Sequence, residues 1–202
     1  LHVGREYNDI AKMFSDTIGA STNHYYVSDS LHNVDFRPDQ AMIKALAELT
    51  GKRPYKYRAF ELLVTLDLEI YQAMRRIIVP ADLKFARLHK VLQSAYGWKN
   101  CHLYDFTFFG NDKHKPVARM VPFEDDLGFD EDAILMAGHT LSEFLPEHQH
   151  MRYTYDLGDN WEHEIQLVRM IEDYDRESPY LLEAKGQTPP EDVGGVGGFI
   201  DF

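Results

Sequence analysis

The sequence predicts an α+β fold. A mostly antiparallel sheet is built from hairpins, one long helix packs on it, and a short helical extension precedes it. Three observations carry this expectation. From Tyr57 onward Leu62, Val64, Leu66, Leu68 and Ile70 alternate with Glu61, Leu63, Thr65, Asp67 and Glu69, the period of a strand with one wet face. Phe85, Leu88, Leu92 and Ala95 instead repeat at helical spacing. The strand-like segments are mostly joined by short links, which suit hairpins rather than the long crossovers of a parallel sheet.

Residues 1–54 read as a helical N-terminal extension, and residues 55–202 as the main domain. In the extension Ile10, Met13, Phe14, Thr17 and Ile18 share one stripe. A second helix begins at Pro38-Asp39, runs through Ile43, Leu46, Ala47 and Leu49, and ends at Gly51. In the domain, Arg75-Arg76-Ile77-Ile78-Val79-Pro80 is a second, shorter strand. Asp82 is placed to cap the long helix and Gly97 to end it. The aromatic run from His102 to Phe109 turns at Asn111-Asp112 toward Val117–Val121. Residues 122–138 read as acidic and irregular, and Leu141–Leu145 as a short helix. In the hairpin spanning Tyr153 to Ile171, Trp161, His163, Ile165 and Leu167 face one way, and Glu162, Glu164 and Gln166 the other. Its turn, Leu157-Gly158-Asp159-Asn160, supplies residues that tolerate positive φ or cap their own backbone.

The chain has 202 residues and a net charge of −12, with the charge unevenly spread. Residues 55–120 hold 11 basic and 6 acidic side chains, whereas residues 121–202 hold 4 and 20. Nucleic-acid binding needs a contiguous basic surface to displace counterions. Only the middle third offers one and the acidic third opposes it, so a nucleic-acid partner ranks behind a protein or small-molecule ligand. No apolar run reaches the roughly 20 residues of a membrane helix. The start, Leu1-His2-Val3, has no initiator Met and no signal-peptide pattern. A single cysteine, Cys101, excludes an internal disulfide and fits the cytoplasm. Cys101 reads as a small buried hydrophobe.

The chemistry concentrates in two segments. Tyr155-Asp156-Leu157-Gly158-Asp159-Asn160-Trp161-Glu162-His163 gathers carboxylates, an indole and an imidazole about one turn. Pro189-Pro190-Glu191-Asp192-Val193-Gly194-Gly195 adds two carboxylates on a loop that is stiff, then permissive. With His102 on the neighbouring strand, the candidate ligand-binding residues are His102, Tyr155, Asp156, Asp159, Trp161, His163, Glu191 and Asp192. Within this set Asp156, Asp159, His163, Glu191 and Asp192 suit a hard divalent cation, the one cofactor the sequence suggests. They equally suit acid–base chemistry, or a turn whose carboxylates cap backbone N–H groups while His163 joins the core. No catalytic residue is singled out. The glycines lack the Gly-Lys-Ser/Thr ending of a phosphate loop. His148 and His150 have chelating spacing but are only two ligands. Arg75, Arg76, Lys84, Arg87 and Lys90 form a candidate basic edge around the helix start.

The order of four motifs carries a resemblance. They are Arg75–Pro80 leading into Leu88-His89-Lys90-Val91-Leu92-Gln93-Ser94-Ala95-Tyr96-Gly97-Trp98, then His102–Phe106, the Tyr155–His163 turn, and Pro189–Gly195. In that order they resemble the plasmid pRiA4b ORF-3-like family, whose members are also labelled passenger proteins of an insertion element. The resemblance covers about residues 57–202. It implies the family fold and an association with mobile elements, and it brings no established activity. Many relatives carry cysteines where this chain has Leu181, Thr188 and Val193, so any metal or redox role of those cysteines is not shared. The resemblance also implies a helix following the glycine segment, beyond Phe202.

These readings converge on an uncharacterised cytoplasmic binding or adaptor module, with its ligand at the Asp156–His163 hairpin and the Pro190–Gly195 loop. The alternative is a metal-assisted hydrolase or nuclease-like enzyme using the same acidic cluster. A nucleic-acid-binding accessory protein comes third.

Overall fold

Alternation along Tyr57–Asp67 makes β1, whose even-numbered residues Phe60, Leu62, Val64 and Leu66 are almost wholly buried. The computed structural model describes residues 57–110, 115–129, 133–174, 176 and 178–201, together with Glu48, Leu49 and Gly51. The chain divides into two compact units, Leu1–Pro54 and Tyr55–Phe202. Of the two helices expected in the first, only Glu48 and Leu49 (both helical) and Gly51 are described, and the rest lie outside the described residues. The expected Asn111-Asp112 turn also lies outside them.

In the second unit β1 is followed by β2 (Gln72–Pro80), α1 (Phe85–Tyr96), β3 (Tyr104–Phe109) and β4 (Pro116–Val121). A 3-10 turn at Glu124–Phe129 leads to β5 (Ala133–Leu135), and another at Leu141–Glu143 precedes β6 (His150–Tyr155). Then come β7 (Trp161–Tyr174), β8 (Tyr180–Lys185) and α2 (Gly195–Asp201).

The expected architecture needs correction. All eight strands join one mixed sheet in the order β5-β4-β3-β6-β7-β1-β2-β8. It is not a purely hairpin-built sheet under one long helix. From Tyr57 onward the described α-helices are short, 12 residues in α1 and 7 in α2. Two physical causes account for the difference. The Glu124–Phe129 crossover returns the chain alongside β4 in the same direction, so β4 and β5 pair in parallel. And α1 starts late: its N-cap is Lys84, not Asp82, and makes no side-chain cap. It stops where expected, at Gly97 with φ 77°, whose N–H closes on Gln93 O.

One sheet face and α1 enclose the core. Phe85, Leu88, Leu92 and Tyr96 of the helix meet Phe106, Phe108, Met151, Tyr153, Tyr155, Trp161 and Ile165 of the strands. Polar groups inside it are tied. Tyr153 OH lies 2.7 Å from His89 Nδ1 and accepts from Gln93 Nε2 at 3.0 Å. On β2, Arg75 is buried and donates to Ala95 O at 2.7 Å, Lys185 O at 2.9 Å and Thr188 Oγ1 at 2.9 Å. A guanidinium at the C-terminal end of α1 suits the helix dipole, and here it also fixes the start of the 186–194 loop.

Candidate functional site

Three segments meet at one end of the sheet: the β6–β7 turn, the Gly97–Leu103 connection and the 186–194 loop. Each is held by local chemistry. Asp156 and Asn160 both sit at φ 57°, a conformation that Asp and Asn tolerate better than other side chains. Asp156 Oδ1 accepts the N–H of Gly158 at 3.0 Å and of Asp159 at 3.3 Å, and Asn160 N–H closes on Asp156 O at 2.6 Å. The backbone N–H of Asp156 donates to Leu103 O, joining turn to connection.

The loop is pinned to both. Asp159 Oδ2 accepts the Gly194 N–H at 3.1 Å. Glu191 Oε1 accepts from Tyr155 OH at 2.7 Å and from Lys99 N–H at 3.1 Å. Trp98 Nε1 donates to Pro189 O, and the Trp98 ring stacks on Tyr155 at 5.0 Å. Burial alone would raise the Glu191 pKa, but the bonds from Tyr155 and Lys99 outweigh it and hold the carboxyl below its usual range. Burial, with Glu191 beside it, pushes the Tyr155 phenol well above its usual value. Glu191 is thus an anion at neutral pH and Tyr155 a neutral donor.

The eight sequence-selected residues divide in three. His102, Asp156 and Asp192 form an open group: His102 Nδ1 lies 3.5 Å from Asp156 Oδ2, and Nε2 lies 3.2 Å from Asp192 Oδ1. Neither contact is a hydrogen bond, and Nε2 is buried without a hydrogen-bond partner. One ligating atom from each residue falls within 4.8 Å of the others, and a second such group is Cys101, His102 and Glu191. Tyr155, Asp159 and Glu191 form the frame behind it. Trp161 and His163 are fully buried in the core.

His163 stands apart from the four carboxylates with which the sequence grouped it. Its Nδ1 lies 3.0 Å from Trp161 O and 3.2 Å from Tyr153 O, and its ring sits edge-on to Tyr96 and Trp98. It belongs to neither group of ligating atoms. Among the described residues, His148 and His150 join no such group either.

Cys101 requires a correction. It is exposed, not buried, and its thiol lies 3.7 Å from Glu191 Oε1 while its N–H donates to Tyr155 OH at 3.1 Å. Trp98 and the Lys99 N–H also belong to the site. No local pattern signals the Lys99 contact, because it forms only when the Gly97–Leu103 connection meets the 186–194 loop.

Glycine is required where the loop passes over the turn. Gly195 has φ +68° and a Cβ there would stand 2.5 Å from Asp159 O. Gly195→Ala is expected to part the loop from the turn, costing at least about 1 kcal/mol from the backbone alone. Urea denaturation reads the loss, and Gly197→Ala, with open space around its Cβ, is the matched control.

Comparison with known proteins follows the same boundaries. The sequence model of the family described as "Plasmid pRiA4b ORF-3-like protein" matches residues 58–202. The uncharacterized protein y4hQ of Sinorhizobium fredii (strain NBRC 101917 / NGR234) is 38% identical over 143 residues, covering 70% of this chain and 69% of that protein. The crystal structure of MM3350, a protein of unknown function from Methanosarcina mazei Go1, superposes with a TM-score of 0.61 at 26% identity. That match covers 73% of this chain and 80% of the other. Among the described residues no helix is long and apolar enough to cross a membrane.

Proposed function

The chain belongs to the plasmid pRiA4b ORF-3-like family, and from the residues gathered at the β6–β7 turn we propose that it is a binding module whose site takes a divalent cation. The observation that carries this reading is that one ligating atom each of His102, Asp156 and Asp192 lies within 4.8 Å of the others. An imidazole and two carboxylates suit zinc or manganese. Asp156 Oδ1, Asp159 and Glu191 are tied to backbone N–H groups and Tyr155, so Asp156 Oδ2, Asp192 and His102 remain as ligands on a stiff frame.

As an adaptor, the module would present the loaded site to a small-molecule or protein partner. The family's plasmid namesake supports a setting beside mobile elements, and the single cysteine supports the cytoplasm. One observation favours a second reading. The Asp192 side chain is 73% exposed, so a bound ion would keep positions for water, as in hydrolytic metal sites. Hydrolysis of a simple phosphodiester by the loaded protein, absent in Asp192→Asn, is the result this second reading requires.

The binding reading is tested by thermal melts of full-length protein with EDTA and with Zn²⁺, Mn²⁺ or Mg²⁺. An ion present at 100 times its Kd stabilises by about 2.7 kcal/mol, which raises Tm by several degrees. The shift is expected with Zn²⁺ or Mn²⁺ and is expected to vanish in His102→Ala. No shift with any cation, or one unchanged in His102→Ala, sinks the proposal.

A further inference from the structure

On the opposite edge of the sheet from β5, β8 is paired on one side only, with β2, among the described strands. Outer strands commonly carry charges or bulges that discourage pairing with stray chains. The end of β8 does so. Its register slips at Leu182, between the Ile77–Leu181 and Arg76–Glu183 pairs, and beyond it Glu183 and Lys185 pair at 2.6 Å. The start does not. Tyr180, Leu181 and Leu182 are three consecutive large apolar residues, each more than 40% exposed.

Beside this unprotected stretch lies a groove of about 390 Å³ between the strand and α1. Ile77, Val91, Ala95 and Leu181 make its apolar walls, and Arg87 and Lys90 of α1 stand on its lip. Of the described cations without a carboxylate within 4.0 Å (Arg75, Lys84, Arg87, Lys90, Lys99 and Lys115), only these two border the groove. Arg58, Arg76, Arg119, Arg152, Arg169 and Lys185 each lie within 4.0 Å of a carboxylate. Among the described residues Arg87 and Lys90 have no carboxylate at that distance, in a protein with 33 acidic and 21 basic side chains.

We infer that the Tyr180–Leu182 end of β8 and the adjoining groove form a docking surface for an extended acidic peptide segment of a partner protein. The segment adds to the sheet as a ninth strand through main-chain hydrogen bonds. Alternate side chains of an added strand point to one face, so every second residue reaches the groove. An apolar side chain there covers Ile77, Val91 and Leu181, and carboxylates meet Arg87 and Lys90. Charge complementarity decides the occupant. A basic peptide would be repelled at the lip by the two cations that stand there without a carboxylate, and an acidic one drawn to them. The surface is separate from the His102 group and does not depend on a cation there.

The test is fluorescence anisotropy of full-length protein with a labelled eight-residue peptide of alternating glutamate and valine, beside its lysine–valine counterpart. The acidic peptide is expected to bind, and affinity is expected to fall at least tenfold in Arg87→Glu/Lys90→Glu. Both positions are exposed, so the variant keeps its fold. Leu181→Asp is expected to abolish binding while the cation-dependent melting shift is unchanged. Any one of four results overturns the inference: no binding of the acidic peptide, equal binding of the basic one, binding that survives the double charge reversal, or a dimer in sedimentation that Leu181→Asp dissolves.

Discussion

Trp161→Ala is expected to lower the stability of the domain by about 3–5 kcal/mol, the usual cost of emptying a buried tryptophan site. Trp161 has no exposed surface and opens β7 directly opposite Tyr155, the last residue of β6. Its ring packs 6.0 Å from Trp98, which in turn stacks on Tyr155. Truncation therefore empties the layer on which the turn, the Trp98 connection and the 186–194 loop all rest. Urea denaturation of the variant gives the magnitude. Trp161→Phe is expected to cost clearly less than the alanine variant, because the indole N–H has no hydrogen-bond partner among the described residues. A loss under about 1 kcal/mol in Trp161→Ala would mean that the turn region does not rest on this layer. The cation-dependent melting shift is expected to weaken along with stability.

Acid is expected to remove about 3 kcal/mol through one residue, His163. Burial holds its pKa down at about 4, against 6.5 for a free histidine, despite the Tyr153 and Trp161 carbonyls that oppose the shift. A base whose folded pKa is depressed resists protonation in the fold and accepts a proton when unfolded. Its contribution is thus fully present above pH 6.5 and is lost as pH falls from 6.5 toward 4. His89, also depressed by burial, acts in the same direction, and Asp105, raised by burial, acts against it. Stability measured from pH 7.5 to 4 in the wild type and in His163→Gln separates these. Whatever its stability at neutral pH, the variant is expected to show a profile flatter across this window by roughly the stated amount. Parallel profiles would mean that His163 takes up its proton equally in the folded and unfolded chain, and the buried position assigned to it would be incorrect.

The sequence made some of this legible and concealed the rest for physical reasons. Strict alternation exposed β1 and the buried face of β7, because a strand with one wet side writes its period in the residues. Gly97 marked the end of α1 because few other residues accept its φ of 77°. By contrast, β8 places Tyr180, Leu181 and Leu182 side by side without alternation, and its strand character comes from the edge that β2 offers. Three-residue β5 and its parallel pairing are products of where the crossover returns the chain, which no local pattern records. At the site, the union of the Asp156 turn with the Pro189–Gly195 loop was readable, since both segments concentrate carboxylates and permissive backbone. Alternation also put His163 on the face of Trp161, and that face is the buried one. The approach of His102 to Asp156 and Asp192, and of the Cys101 thiol to Glu191, depends on the path from Gly97 to Leu103. That path follows from Trp98 docking under the loop, a long-range event.

The most direct test of the proposed cation site is anomalous diffraction from crystals of the full-length protein grown with Zn²⁺, with data collected on both sides of the zinc edge. The account predicts one strong peak between His102, Asp156 Oδ2 and Asp192, absent from crystals of His102→Ala. No peak there, or zinc bound only elsewhere, such as at His148 and His150, would contradict it. The carboxylates of the turn and loop would then be architecture that joins β6, β7 and the 186–194 loop.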